Sequence, residues 1–341
     1  MDVLLRHRRN NALVLLTLGL FMAACGSSGH GASPGITETV YVTNDNNTIT
    51  EYAAGARGNA APKAVIGGSN TQLDGPAGIA IDSTGNIYVV NTNSNSLNVY
   101  AAESQGNVAP TVTIGGGNTG LDGPEGLAID AAGNLYVANT NADSITEYAA
   151  QSSGNVSPIA TISGSATGLN EPVGVAVDSQ GNIYASNFNY PNFSITVYSA
   201  GSNGNVAPTA TIAGSATSLV YPEGVALDPT GNVYASNLND FQTFVLTVFP
   251  PNSNGDATPS RVIQGVAPHL SFPVGLIADS KGRVIVANTG SSTLAEYGAK
   301  AKGSALPFAV IGGNKTGLVD PLFVAAAPGK SKGKPKIKAA F

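Results

Sequence analysis

Apolar and polar positions along this chain follow one pattern that returns every 48 to 51 residues. In the copy that starts at Pro124, an apolar run through Gly126, Leu127, Ala128 and Ile129 ends at Asp130, and a polar break ends at Asn134. A second apolar run covers residues 135–139, residues 144–148 alternate, and residues 158–162 close the copy before a glycine-rich break. Short apolar or alternating runs bounded by Gly, Asn and Asp predict β-strands, because side chains on a pleated strand point to opposite faces in turn. Each copy thus predicts four strands and no helix.

The copies are marked by Pro76, Pro124, Pro172, Pro222, Pro273 and Pro321. A unit of this length cannot bury its apolar faces alone, so neighbouring copies must stack, as the blades of a propeller do. The first copy lacks an inner strand and begins with residues 38–44. Residues 321–327 match an inner strand at the normal interval, with Ala327 in place of the turn aspartate. The expected fold is all-β: a six-bladed β-propeller with four antiparallel strands per blade, its composite first blade closed by the C-terminal inner strand. Blade one is the composite, and blades two to six follow in chain order.

Positions inside the repeat carry further expectations. Gly and Ala alternate with larger residues in the inner strand (Gly78 and Ala80, Gly126 and Ala128, Gly174 and Ala176, Gly224 and Ala226), which suits strands converging on a narrow axis. Asp82, Asp130, Asp178, Asp228 and Asp279 each stand three residues before a Gly, the chemistry of a type I turn. Pro62, Pro110, Pro158, Pro208, Pro259 and Pro307 are expected to open the fourth strand, which must then be the outer edge, since Pro has no N–H to donate. Asn44, Asn91, Asn139, Asn187, Asn237 and Asn288 end the second strand and are expected to cap the loop that follows.

Composition narrows the function classes. Only 11% of residues are charged, and the formal net charge is −5. The chain offers nucleic acid little attraction. His7, His30 and His269 are the only histidines, which leaves one in the repeat region and little material for a His-rich zinc site or a triad.

Residues 1–24 read as a signal peptide: Arg6, Arg8 and Arg9, an apolar run over residues 12–24, and small residues before Cys25. The apolar run is too short for a comfortable span. Cys25 is the sole cysteine, and its setting resembles a bacterial lipoprotein signal in which the Cys is lipidated. Residues 25–37 then form the lipidated Cys and a flexible tether, residues 38–327 the propeller, and residues 328–341 a Lys-rich tail. The tail reads as a solubilising end, an extension of the composite blade, or a contact for anionic lipid or polysaccharide. The implied location is the bacterial cell envelope, facing periplasm or cell exterior, with the membrane reached through the N-terminal lipid and the protein a monomer.

The recurring string of Pro, Gly, Ala, Asp, Gly-Asn and Tyr-Val-Ala in these positions resembles the NHL repeat of β-propellers over residues 38–327. Family members often carry Asp after the second strand and an Arg soon after. Asn and Ser or Thr stand there in this chain, which removes the basic surface some members use for RNA. The resemblance implies a propeller rather than a particular activity.

Asymmetry among blades is the better pointer to a site. The loops after Asn187 and Asn237 are the longest and most aromatic, and Phe188, Tyr190, Phe193, Asp240 and Phe241 are the candidate ligand-binding residues for a protein or glycan partner. The alternative for the same rings is that they fold back over their own loops. A second candidate lies at the loops leading into the inner strands, where Glu125 and Glu223 stand two blades apart. With Asn139, Asn187 and Asn237 they could hold Ca²⁺ or another divalent cation at the channel mouth, as in a lactonase- or esterase-like hydrolase. The reading leans toward a binding or scaffold module without catalytic residues or cofactor. The metal-dependent hydrolase and a structural envelope protein are the alternatives.

Overall fold

The computed structural model describes residues 37–239, 243–265 and 269–327. Six four-stranded antiparallel sheets succeed one another along the chain. In blade two the order from inside outward is Pro76–Ile81, Ile87–Asn91, Ser96–Tyr100 and Val112–Gly115. Blade one is composite: Pro321–Ala326 pairs antiparallel with Val40–Asn44, which pairs in turn with Thr48–Tyr52. The expected architecture and its closure are observed.

Each inner strand carries a one-residue bulge just after its proline; in blade two the register moves from Pro76 opposite Asn91 to Ile79 opposite Val89. The bulge and the glycine beside it bring neighbouring inner strands into backbone contact. A Cβ on Gly78 would sit 2.4 Å from the carbonyl oxygen of Glu125, and one on Gly126 2.4 Å from that of Val173. The same approach continues through Gly174, Gly224 and Gly275 to Phe323. The ring is then completed where the Thr43 hydroxyl donates to the Ala77 carbonyl at 2.7 Å.

The outer rim differs from expectation. The outermost strands begin two residues after their prolines, as in Ala64–Gly67 after Pro62. Pro supplies no N–H and ends the approach to the strand, so pairing starts once donors return. Nor is the outer edge left open. Gly106, from the loop before blade two's outer strand, donates to the Val65 carbonyl of blade one at 2.6 Å and accepts from Gly67 at 3.1 Å. Gly154, Gly204, Gly255, Gly303 and Gly58 repeat this clasp around the ring. Beside it, Asn107 accepts the Asn70 N–H at 2.7 Å and Asn59 the Lys315 N–H at 2.7 Å. The edges that would otherwise template aggregation are covered by the next blade, and the ring is locked a second time by contacts between residues 58–59 and 310–315.

The core lies between blades. Tyr52, Tyr100, Tyr148, Tyr198 and Tyr297 are fully buried at the ends of third strands. The Tyr100 and Tyr148 hydroxyls donate to the Thr71 and Thr119 carbonyls at 2.5 and 2.6 Å. Burial pushes the Tyr100 phenol up to about 12, so it stays a neutral donor. In the turn between the first and second strands Asp82 accepts from the backbone of Thr84 and Asn86 at 2.8 and 2.9 Å. Partial burial opposes its ionisation, but these bonds, with side-chain bonds from Thr84 and Asn86, outweigh it and hold the carboxyl below the usual range. The turn aspartates are built into the hairpins.

Thr37, the first described residue, is tied down by a buried carboxylate. Glu296, in the third strand of blade six, accepts the Thr37 N–H at 2.8 Å and the Thr37 hydroxyl at 2.6 Å.

Candidate functional site

Loops leading into the inner strands and loops joining second to third strands share one face of the ring, the loop face. The residue before each inner-strand proline has positive φ: Gly75 (64°), Gly123 (59°), Glu171 (47°), Tyr221 (48°), Phe272 (45°) and Asp320 (42°). Glycine meets that demand without penalty, whereas a side chain with a Cβ costs about 1–2 kcal/mol in the left-handed region. Tyr221 and Phe272 thus hold bulky rings on strained backbone where blades two and three use Gly. Strain of this kind persists only where the surroundings enforce it.

Both strained rings belong to an aromatic surface on blades four to six. Tyr221 packs between Phe188 (5.2 Å between centroids) and Phe193 (4.5 Å), and Tyr190 meets Phe193 edge-on at 6.1 Å. Phe272 pairs with Phe244 at 4.8 Å. Phe188, Tyr221, Leu238 and Val173 form one buried cluster, with Phe193, Phe244 and Phe323 partly buried against it.

Of the sequence-predicted residues, Tyr190 is 67% exposed, Phe193 half-buried and Phe188 buried. At Phe188 the fold-back alternative is the one observed: the ring supports the surface from below because Val173, Tyr221 and Leu238 enclose it. Asp240 and Phe241 lie outside the described residues, as do Cys25 and the Lys-rich tail. Sequence reasoning missed Tyr221, Leu238, Phe244, Phe272 and Phe323. Phe323 stands where the other five blades carry Gly, and Tyr221 and Phe272 where blades two and three do, and these departures were the available signal.

The channel is stoppered. Phe323, of blade one, occupies the repeat position of Gly78 and packs against the cluster on blades four and five, across the axis. A cavity of about 260 Å³ continues along the inner strands, lined by apolar side chains such as Leu127, Ile129, Val175, Val177 and Leu276.

The channel-mouth residues are held in the scaffold. Glu223 is 1% exposed and Glu125 half-buried. Asn139 Oδ1 accepts the Asp122 N–H at 3.2 Å while its amide donates to Thr146 Oγ1 at 3.0 Å. Asn187 Oδ1 accepts the Asn170 N–H at 3.0 Å. A cation ligated by Asn139 or Asn187 would have to displace these bonds. Asn237 differs: its amide donates to Thr247 Oγ1 at 3.1 Å, but its Oδ1 is, among the described residues, a buried polar atom with no partner. The described residues contain no group of three His, Cys, Asp or Glu side chains arranged to hold a metal.

A model of the NHL repeat matches residues 73–100, the loop and first three strands of blade two. No curated protein matches the sequence. Among solved structures, a protein of unknown function from Bacteroides caccae aligns with a TM-score of 0.56 and 14% identity, covering 86% of this chain and 99% of that one. The WD40 domain of Toxoplasma gondii coronin aligns at 0.51 with 12% identity, over 82% of this chain and 70% of that one. A gluconolactonase from Xanthomonas campestris aligns at 0.48 with 13% identity, over 81% and 86%. Identities this low speak for the fold alone, and the lactonase likeness carries nothing on activity. Repeat match, blade register and ring closure together make the chain an NHL-like β-propeller.

Proposed function

We propose that the protein is a binding propeller of the bacterial envelope, anchored through a lipid on Cys25, that engages a protein or glycan with the aromatic loop face of blades four to six. The observation that carries this reading is Tyr221 held at φ 48° between Phe188 and Phe193, at a position where blades two and three use Gly. A sequence that accepts strain to fix an aromatic surface gains nothing for blade stacking, which blades two and three achieve without it. A rigid, pre-shaped apolar surface with an exposed Tyr suits recognition because little side-chain entropy is lost on contact. The hydrolase reading draws less support, since the oxygens of Asn139 and Asn187 are engaged by backbone donors.

The test is co-sedimentation of the purified chain carrying Cys25→Ser, so that no lipid inserts into membrane, with bacterial envelope fragments, untreated, protease-treated or periodate-treated. With its loop face intact this chain is expected to pellet, with loss after protease marking a protein partner and loss after periodate a glycan. The double variant Phe188→Thr/Tyr221→Gly, which copies blade three, is expected to stay in solution. Equal pelleting of both would sink the reading. Detergent partitioning of cells checks the anchor: Cys25→Ser should move the chain to the aqueous phase, and an unmoved variant removes the lipid.

A further inference from the structure

Blade four carries a cleft that the aromatic surface does not account for. Its second-to-third-strand loop has six residues between Asn187 and Ser194, against four between Asn91 and Ser96 in blade two. A cavity of about 580 Å³ opens beside this longer loop. That is within the roughly 300–1,000 Å³ of small-molecule sites. Its polar wall is formed by Asn170, Asn192, Ser194, Thr196 and Thr211, and its apolar wall by Phe193 with Leu169 and Pro191.

We infer that this cleft is a subsite for an uncharged sugar ring, an inference that rests on the binding reading above and names its ligand class. The lining contains no charged side chain. At the position where blades two and three carry Asp74 and Asp122, blade four carries Asn170. The substitution exchanges a carboxylate for a neutral amide with both donors and an acceptor, which is what a hydroxyl-bearing ligand requires. The Asn170 Oδ1 accepts from Asn189 at 3.1 Å. Asn192 is exposed and Asn170 and Thr211 are half-buried, so their amides and hydroxyl face the cleft, while the buried Ser194 and Thr196 hydroxyls beneath them each accept from Asn187 at 3.1 Å. Phe193 offers an aromatic wall for the C–H face of a pyranose, with Tyr190 exposed at its rim.

A peptide fits the cleft less well. An extended peptide gains affinity by adding to a free strand edge. The edge nearest the cleft is taken: Gly255 of blade five donates to the Thr211 carbonyl at 2.7 Å and accepts the Ala213 N–H at 3.0 Å. Side-chain amides, hydroxyls and one ring are what remain available.

Saturation-transfer NMR on the full chain tests this with maltotriose, cellotriose, mannotriose and chitotriose, and with digalacturonate as the charged control. Transfer to at least one neutral trisaccharide and none to digalacturonate is expected. Ala213→Phe, which fills the cleft, should weaken binding by about tenfold or more. Asn192→Ala, on the exposed loop, serves as a second variant should the first lose dispersion, and is expected to weaken binding in the same direction. Absence of transfer to all four, or unchanged transfer in a folded variant, overturns the inference. If envelope pelleting persists while sugar transfer is absent, the sugar subsite falls and the aromatic face stands; if both are absent, both fall.

Discussion

Blades three and five use one repeat to opposite ends. After its second strand, blade three places Thr140, whose hydroxyl donates to the Pro172 carbonyl at 2.8 Å and straps the next inner strand. Thr92 and Thr289 do the same in blades two and six. Blade five has Leu238 there, and blade four Phe188, and both exchange the polar strap for the cluster around Tyr221. The backbone bond between the same loops lengthens accordingly. It is 3.0 Å from Thr140 to Gly123 but 3.4 Å from Leu238 to Tyr221. Regular blades close the ring through directional bonds, while blades four and five give these up for an apolar surface that tolerates strained backbone. On the proposed binding role the gain lies in what the surface can contact, because stacking alone is served as well by the simpler blades.

The largest effect should come from violating the rule of the regular half. At Gly126 a Cβ meets the Val173 carbonyl at 2.4 Å and the Val175 nitrogen at 2.8 Å, and both are backbone atoms that cannot move without shifting blade four. Gly126→Val is expected to destabilise the ring by about 3 kcal/mol, the upper end for overpacking, read as a lowered urea midpoint. A loss below about 1 kcal/mol would mean that inner strands of regular blades are as adjustable as the aromatic loops.

A smaller effect separates the same asparagine in two blades. Asn91 Oδ1 accepts the Asp74 N–H at 3.1 Å and its amide donates to Ser96 at 3.1 Å. Asn91→Ala therefore strands a backbone donor, at about 2–3 kcal/mol. In Asn237→Ala only the amide's bonds are lost, because its Oδ1 has no partner, so about 1 kcal/mol is expected. Urea denaturation of the two variants under one condition decides it. Equal losses would remove the claim that blade five's loop is unlatched.

What the sequence revealed followed from repetition. Blade number, composite closure and the Asp82-type turns recur in register, so each copy tests the others. The asparagines were read as caps of the loop that follows, whereas Asn44, Asn91, Asn139, Asn187 and Asn288 accept from the backbone of the loop leading into the inner strand. Less legible were contacts that join residues of different blades. Gly106 reaches Val65 and Gly58 reaches Val310, and no local pattern marks a loop glycine as the cover of a neighbour's edge. Phe188 was left between two alternatives for a related reason. An aromatic residue in a long loop can face outward or fold back, and only Tyr221 and Leu238 from the next blade's loops decide that it is buried. Tyr221, Phe272 and Phe323 were hidden by the repeat itself, since alignment emphasises what blades share and these residues matter where they depart from glycine.

The finest test of the comparison is at Tyr221, where two truncations compete. Both Tyr221→Ala and Tyr221→Gly remove the ring and its contacts with Phe188 and Phe193, so their packing losses match. They differ at the backbone. Alanine keeps a Cβ at φ 48°, whereas glycine adopts that conformation freely, as Gly75 and Gly123 do. Glycine also loosens the unfolded chain, which costs the folded state about 0.4–1 kcal/mol relative to alanine. Relief of left-handed strain is worth about 1–2 kcal/mol in the other direction. The Gly variant should thus be the more stable by about 1 kcal/mol, the reverse of the order at an ordinary strand position, with the urea midpoints as the readout. An Ala variant as stable as the Gly variant would mean that Tyr221 is not held under strain, and the principal support for a purpose-built aromatic surface would go with it.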